Sequence, residues 1–94
     1  MASEIVKIHV FIQGKVQGVF YRSWMKSNAL ALGLKGWAKN LEDGRVEAVI
    51  QGPKAEVEEI LQKCREGNSS ARVTHMDVSY EDIEEGFVDF KIIS

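Results

Sequence analysis

The feature that most constrains the fold is a change of hydrophobic period early in the chain. From Ile5 to Ile12 every second residue is apolar, with Val6, Ile8, Val10 and Ile12 on one face and Lys7 and His9 on the other. That spacing predicts a half-buried strand. It breaks at the run Gly14-Lys15-Val16-Gln17-Gly18-Val19-Phe20-Tyr21-Arg22. Beyond the break the apolar residues Met25, Ala29 and Leu32 follow helical spacing, which predicts a helix over Arg22 to Leu32. Ser23 is the expected N-cap and Gly33 the expected stop.

The pattern then repeats with a hairpin inserted. Gly36 to Asn40 reads as a short strand, Leu41-Glu42-Asp43-Gly44 as a turn marked by Asp-Gly, and Arg45 to Gln51 as the returning strand with Val46, Ala48 and Ile50 inward. Gly52-Pro53 opens a second helix, because proline lacks only an N–H that the first helical position does not use. Val57, Ile60, Leu61 and Cys64 form its apolar stripe, and Gly67 suits its end. Val73 to Glu81 is a fourth strand, with Met76, Val78 and Tyr80 inward. An acidic turn ending at Gly86 leads to a last strand through Val88, Phe90 and Ile92.

The order β-α-β-β-α-β, with room for a short extra strand at one edge, predicts two interleaved right-handed crossovers. The expected fold is an α/β (α+β) sandwich of ferredoxin-like type. An antiparallel sheet carries both helices on one face and leaves its other face open or lightly covered. Residues 1–94 read as a single domain, without repeats, linkers or low-complexity stretches.

Bulk properties narrow the partners. Apolar residues at 45% and charged residues at 28% are globular values that exclude disorder. A net charge of −2 argues against nucleic acid as the main partner, since phosphate backbones want a basic face. Cys64 is the one cysteine, so no disulfide framework forms within the chain. Met1-Ala2-Ser3-Glu4 lacks the character of a signal peptide, and no apolar run is long enough to span a membrane. A cytoplasmic monomer is the expectation, and Asn68-Ser69-Ser70 then matches a glycosylation acceptor by accident.

Few residues suggest chemistry on their own. No Ser-His-Asp arrangement or metal-ligand spacing is present, and His9 and His75 read as outward strand residues. The acidic groups at Glu56, Glu58 and Glu59 and at Glu81, Asp82, Glu84 and Glu85 read as a wet helix face and a turn. Cys64 reads as a packed thiol, and Trp24 and Trp37 as packing residues. The run from Gly14 to Arg22 differs. A strand, a glycine-containing loop, an arginine and a helix N-terminus describe an anion cradle, although a plain strand-to-helix connection reads the same way. It lacks the Gly-Lys-Ser/Thr ending of a Walker A loop and the glycine spacing of a dinucleotide fingerprint. Asn40, at the end of the second strand, could either stabilise the turn or project into a site.

Two segments together resemble the signatures of the acylphosphatase family. Gly14 to Arg22 matches Gly-x-Val-Gln-Gly-Val-x-Phe/Tyr-Arg, with Tyr21 at the aromatic position, and Gly36 to Gly52 matches Gly-aromatic-small-x-Asn-x-x-x-Gly-x-Val with its closing glycine. The Ala29, Leu32 and Gly33 pattern, the Gly52-Pro53 helix start, Ala71-Arg72-Val73 and the Phe90-x-Ile92 ending fit as well, so the resemblance covers nearly the whole chain. It implies a ferredoxin-like sandwich and hydrolysis of small acyl phosphates to a carboxylate and inorganic phosphate, with no cofactor and no metal. Carried over by position, Arg22 binds the phosphoryl group and Asn40 orients the attacking water. Backbone N–H groups of Lys15 or Val16, Gln17, Gly18, Val19, Phe20 and Tyr21 complete the cradle. The Asn68-Ser69-Ser70 stretch falls in a loop where related chains vary.

Two other classes compete. A binding module on the same fold would hold a phosphate without turning it over. An RNA-binding domain shares the element order, but its third strand carries stacking aromatics, and Arg45-Val46-Glu47-Ala48-Val49-Ile50-Gln51 has none.

Overall fold

A computed structural model describes residues 4–83 and 86–93. The elements are β1 (Ile5–Lys15), α1 (Tyr21–Ala31), β2 (Lys35–Asn40), β3 (Val46–Pro53), α2 (Lys54–Glu66), β4 (Arg72–Glu81) and β5 (Phe90–Ile93). They form a five-stranded sheet in the order β4-β1-β3-β2-β5. β1 pairs antiparallel with β3 and β4, and β2 pairs antiparallel with β3. This is the ferredoxin-like sandwich expected from the order of elements. The extra edge strand is real, but β5 adds parallel to β2, which makes the sheet mixed where a wholly antiparallel one was expected.

The period-two pattern of β1 is realised in full. Val6, Ile8, Val10 and Ile12 are buried, and register pairs Ile8 with Ile50 and Val10 with Ala48. α1 adds Tyr21, Met25 and Ala29 to the core and α2 adds Val57, Ile60, Leu61 and Cys64. α1 closes as Gly33 predicts: Leu34 N–H reaches back to the Ala29 carbonyl at 2.8 Å, and both side chains are buried.

The opposite face is thinly covered. His9 stacks on Phe11 at 4.8 Å and meets the edge of Trp37 at 6.3 Å, and these side chains close over Val49. Glu47 lies between His9 Nε2 at 2.6 Å and Lys39 Nζ at 3.6 Å. Trp24, in contrast, packs on the core side against Tyr21, 5.3 Å between ring centres.

Four expectations need correction. α1 begins at Tyr21 with Phe20 as its N-cap, so Ser23 lies inside the first turn and caps nothing. Pro53 stands one residue before α2, ending β3, and not within the helix. Tyr80 keeps its phase opposite Ile8, yet it is exposed on β4, an edge strand in which no residue is fully buried. Val88 is exposed and precedes β5; in that short edge strand only Phe90, opposite Gly36, reaches the core. The expected acidic turn includes Glu84 and Glu85, which lie outside the described residues.

Candidate active site

The chain leaves β1 through a bulge between Gln13 and Gly14, where pairing with β4 shifts register. It then passes through residues 16–20 into α1. Val16, Val19 and Tyr21 turn into the core and anchor this loop from inside. Between them the backbone takes two left-handed turns, at Gly18 (φ 73°) and at Phe20 (φ 58°). A left-handed residue followed directly by a right-handed helical one swings successive N–H groups towards a common point, a concavity suited to an anion. Among the hydrogen bonds of the described residues, none has a backbone N–H from Val16 to Tyr21 as its donor. α1 has no side-chain N-cap and no acidic residue in its first turn, so its start keeps a positive potential.

Three side chains hold the loop in place. Gln17 Nε2 donates to the carbonyls of Leu41 and Arg45 at 2.8 and 2.9 Å, tying the loop to the β2–β3 turn. Asn68 Nδ2 donates to the Val19 carbonyl at 2.9 Å, while Asn68 Oδ1 accepts from the N–H groups of Ser70 and Ala71. The Tyr21 hydroxyl donates to the Cys64 carbonyl at 2.7 Å, inside the core. Burial drives the Tyr21 phenol well above its ordinary range and pushes the Cys64 thiol up to about 12, so both are neutral, packed groups.

Val16, Gln17, Gly18, Phe20, Tyr21, Arg22, Ser23 and Asn40 line one concavity of about 220 Å³. Arg22 sits on the first turn of α1, half-buried, and its Nη1 donates to the Ile93 carbonyl at a long 3.4 Å. Among the described residues no carboxylate pairs with it. Asn40 ends β2 on the facing side. The turn beyond it is closed by backbone alone, Leu41 N–H to Arg45 carbonyl at 2.8 Å, and Asn40 Oδ1 is buried with no hydrogen-bond partner. Of its two sequence readings, projection into the site is the one that the geometry favours.

Of the residues named from sequence, Val16, Gln17, Gly18, Phe20, Tyr21, Arg22 and Asn40 therefore meet at one place. Lys15 ends β1, exposed, and does not line the concavity; the Val19 side chain faces the core. Sequence reasoning missed Ser23 as a lining residue, and also the Gln17 and Asn68 side chains as braces. Cys64, His9 and His75 stay apart from the site: Cys64 is buried, His9 faces the open side of the sheet, and His75 pairs with Asp77 at 2.9 Å. Among the described residues no group of three His, Cys, Asp or Glu side chains could hold a metal.

A match to the acylphosphatase family spans residues 8–92. The chain belongs to the acylphosphatase family. It is 47% identical over 91 residues to an acylphosphatase of Pyrobaculum aerophilum, covering 96% of each chain. It is 50% identical over 78 residues to one of Haloarcula marismortui, covering 83% of this chain and 86% of that one. The crystal structure of acylphosphatase from Bacillus subtilis superposes with a TM-score of 0.91 at 30% identity, over 95% of this chain and 99% of that one. An acylphosphatase fold thus places the strand–loop–helix and the end of β2 around one concavity.

Proposed function

We propose that this chain hydrolyses the carboxyl–phosphate bond of acyl phosphates, with the phosphoryl group held by Arg22 and the loop N–H groups and water held by Asn40. The observation that carries the reading is the meeting in one concavity of the Arg22 side chain, the loop N–H groups and the unpartnered Oδ1 of Asn40.

The chemistry suits so spare a site. The leaving carboxylate has a conjugate acid with a pKa of about 4, so it departs without a general acid. What remains is positioning and charge stabilisation. Arg22 offers a planar fork to two phosphoryl oxygens, a geometry that lysine lacks. The loop N–H groups and the start of α1 take the third oxygen. Asn40 offers an acceptor and a donor to one water. The water oxygen attacks phosphorus, the bond to the acyl oxygen breaks, the electron pair leaves with the carboxylate, and the water's proton passes to a phosphoryl oxygen. No phosphoenzyme forms, and no metal or cofactor takes part in these steps.

The same reading makes residues 1–94 one catalytic domain, a cytoplasmic monomer that acts on a small molecule without nucleic acid or membrane. The single thiol, Cys64, is buried and free, and among the described residues no helix is long and apolar enough to cross a membrane.

The test is hydrolysis of benzoyl phosphate with EDTA present, Arg22→Ala alongside, and thermal melts to show that both proteins are folded. Turnover by the parent chain that disappears in the variant is expected. A folded parent chain that binds phosphate but does not turn the substrate over sinks the proposal in favour of a binding module.

A further inference from the structure

Phe20 is the one non-glycine residue with positive φ among the described residues, at φ 58° and ψ 27°. Bulky residues rarely adopt this conformation, and a glycine or asparagine would adopt it with less strain. Packing does not explain the choice, because 84% of Phe20 is exposed between the buried Val19 and Tyr21. The backbone around it is fixed: its carbonyl accepts from Trp24 N–H at 3.0 Å and the preceding Val19 carbonyl is held by Asn68 at 2.9 Å. A rigid, strained backbone thus presents an aromatic ring to solvent at the rim of the cavity that holds Arg22 and Asn40. Strain of this kind persists where the surroundings enforce it, and it concentrates at ligand-binding positions.

Resting on the hydrolytic reading above, we propose that Phe20 is the residue that recognises the acyl group, favouring aromatic or extended apolar acyl phosphates over acetyl phosphate. With the phosphoryl group against the loop N–H groups, the acyl group extends towards the opening, where the Phe20 ring is exposed. An aromatic acyl group gains an offset or edge contact with that ring and covers apolar surface on both partners. An acetyl group is too short to gain as much. Phe20 acts on selectivity, while the phosphoryl contacts are common to all substrates.

The test compares kcat/KM for benzoyl phosphate and acetyl phosphate in the parent chain, Phe20→Ala and Phe20→Tyr. The ratio of the two is expected to fall about three- to tenfold in Phe20→Ala, the size of one aromatic contact, and to recover in Phe20→Tyr. In parallel, calorimetry measures binding of benzylphosphonate and methylphosphonate, which are not turned over. The benzyl preference should shrink by the same factor in Phe20→Ala. Ratios that stay constant in either assay, or equal losses for both ligands, overturn the proposal. A parent chain that turns over neither substrate overturns the hydrolytic reading, and the phosphonate ratio then still decides the role of Phe20.

Discussion

The Gln17 amide nitrogen lies 2.8 Å from the Leu41 carbonyl oxygen, so the loop that carries the free N–H groups is fixed directly to the residue after Asn40. The two halves of the site thereby share one reference point. Gln17→Ala removes this bond and the one to the Arg45 carbonyl. Both carbonyls retain a backbone donor, Gly44 N–H and Leu41 N–H respectively, so neither is left bare. The expected stability loss is therefore small, about 1 kcal/mol, by urea denaturation. The rate should suffer more: a fall in kcat/KM of about tenfold or greater is expected once loop and Asn40 can drift apart. Unchanged kinetics in a destabilised variant would mean that the brace serves the fold alone.

Asn40 and Arg22 should fail differently. Asn40→Ala is expected to lower kcat on the order of 100-fold while the inhibition constant of inorganic phosphate moves little, because in the proposed mechanism Asn40 positions the water and not the phosphoryl group. Arg22→Ala is expected to weaken phosphate inhibition and lower kcat/KM together, by at least the hundredfold typical of a lost oxyanion donor. Steady-state rates with phosphate as inhibitor separate the two; identical profiles would merge the roles.

Alkali should weaken the core through Cys64 and Tyr21. Burial raises the pKa of both groups in the folded chain, so above their ordinary values the unfolded chain releases protons that the folded chain keeps. Stability is then complete below pH 9 and declines as pH rises from 9 towards the Cys64 value of about 12, Tyr21 joining above pH 10. The slope is about 1.4 kcal/mol per pH unit for each group once titrating. Urea denaturation at several alkaline pH values, with Cys64→Ala for comparison, checks this: the variant should show the shallower decline.

Gly36 is fixed by a close approach. A Cβ there would stand 1.8 Å from the Val49 carbonyl oxygen, and its φ of 143° is one that side chains avoid. Gly36→Ala is expected to destabilise by about 2–4 kcal/mol, since the contact is with backbone that cannot turn aside. A thermal melt within error of the parent would show that β2 and β3 can separate there without loss.

Most of the core was legible because periodicity reports burial directly: Val6, Ile8, Val10 and Ile12 of β1 and Val57, Ile60, Leu61 and Cys64 of α2 are all buried as their spacing predicts. The start of α1 was misplaced because Ser23 has capping chemistry, whereas the chain enters the helix earlier through a left-handed Phe20 that no propensity favours. Tyr80 has the right phase for burial, but phase says nothing about which strand takes the edge of the sheet. Asn68 looked peripheral in a loop, and only folding brings it to the Val19 carbonyl, 49 residues away in sequence. The motif residues of the site were legible as a set; the side chains that brace them were not, because a brace is defined by its distant partner.

The uncapped start of α1 ties folding to the surrounding solution. An anion seated there binds the folded chain and finds no such arrangement in the unfolded one, so it acts as a ligand of the native state. On the proposed function that anion is phosphate, and each tenfold rise in its free concentration beyond its dissociation constant adds about 1.4 kcal/mol to the unfolding free energy. What the helix lacks in a cap of its own becomes a thermodynamic coupling between the reaction's product and the persistence of the protein.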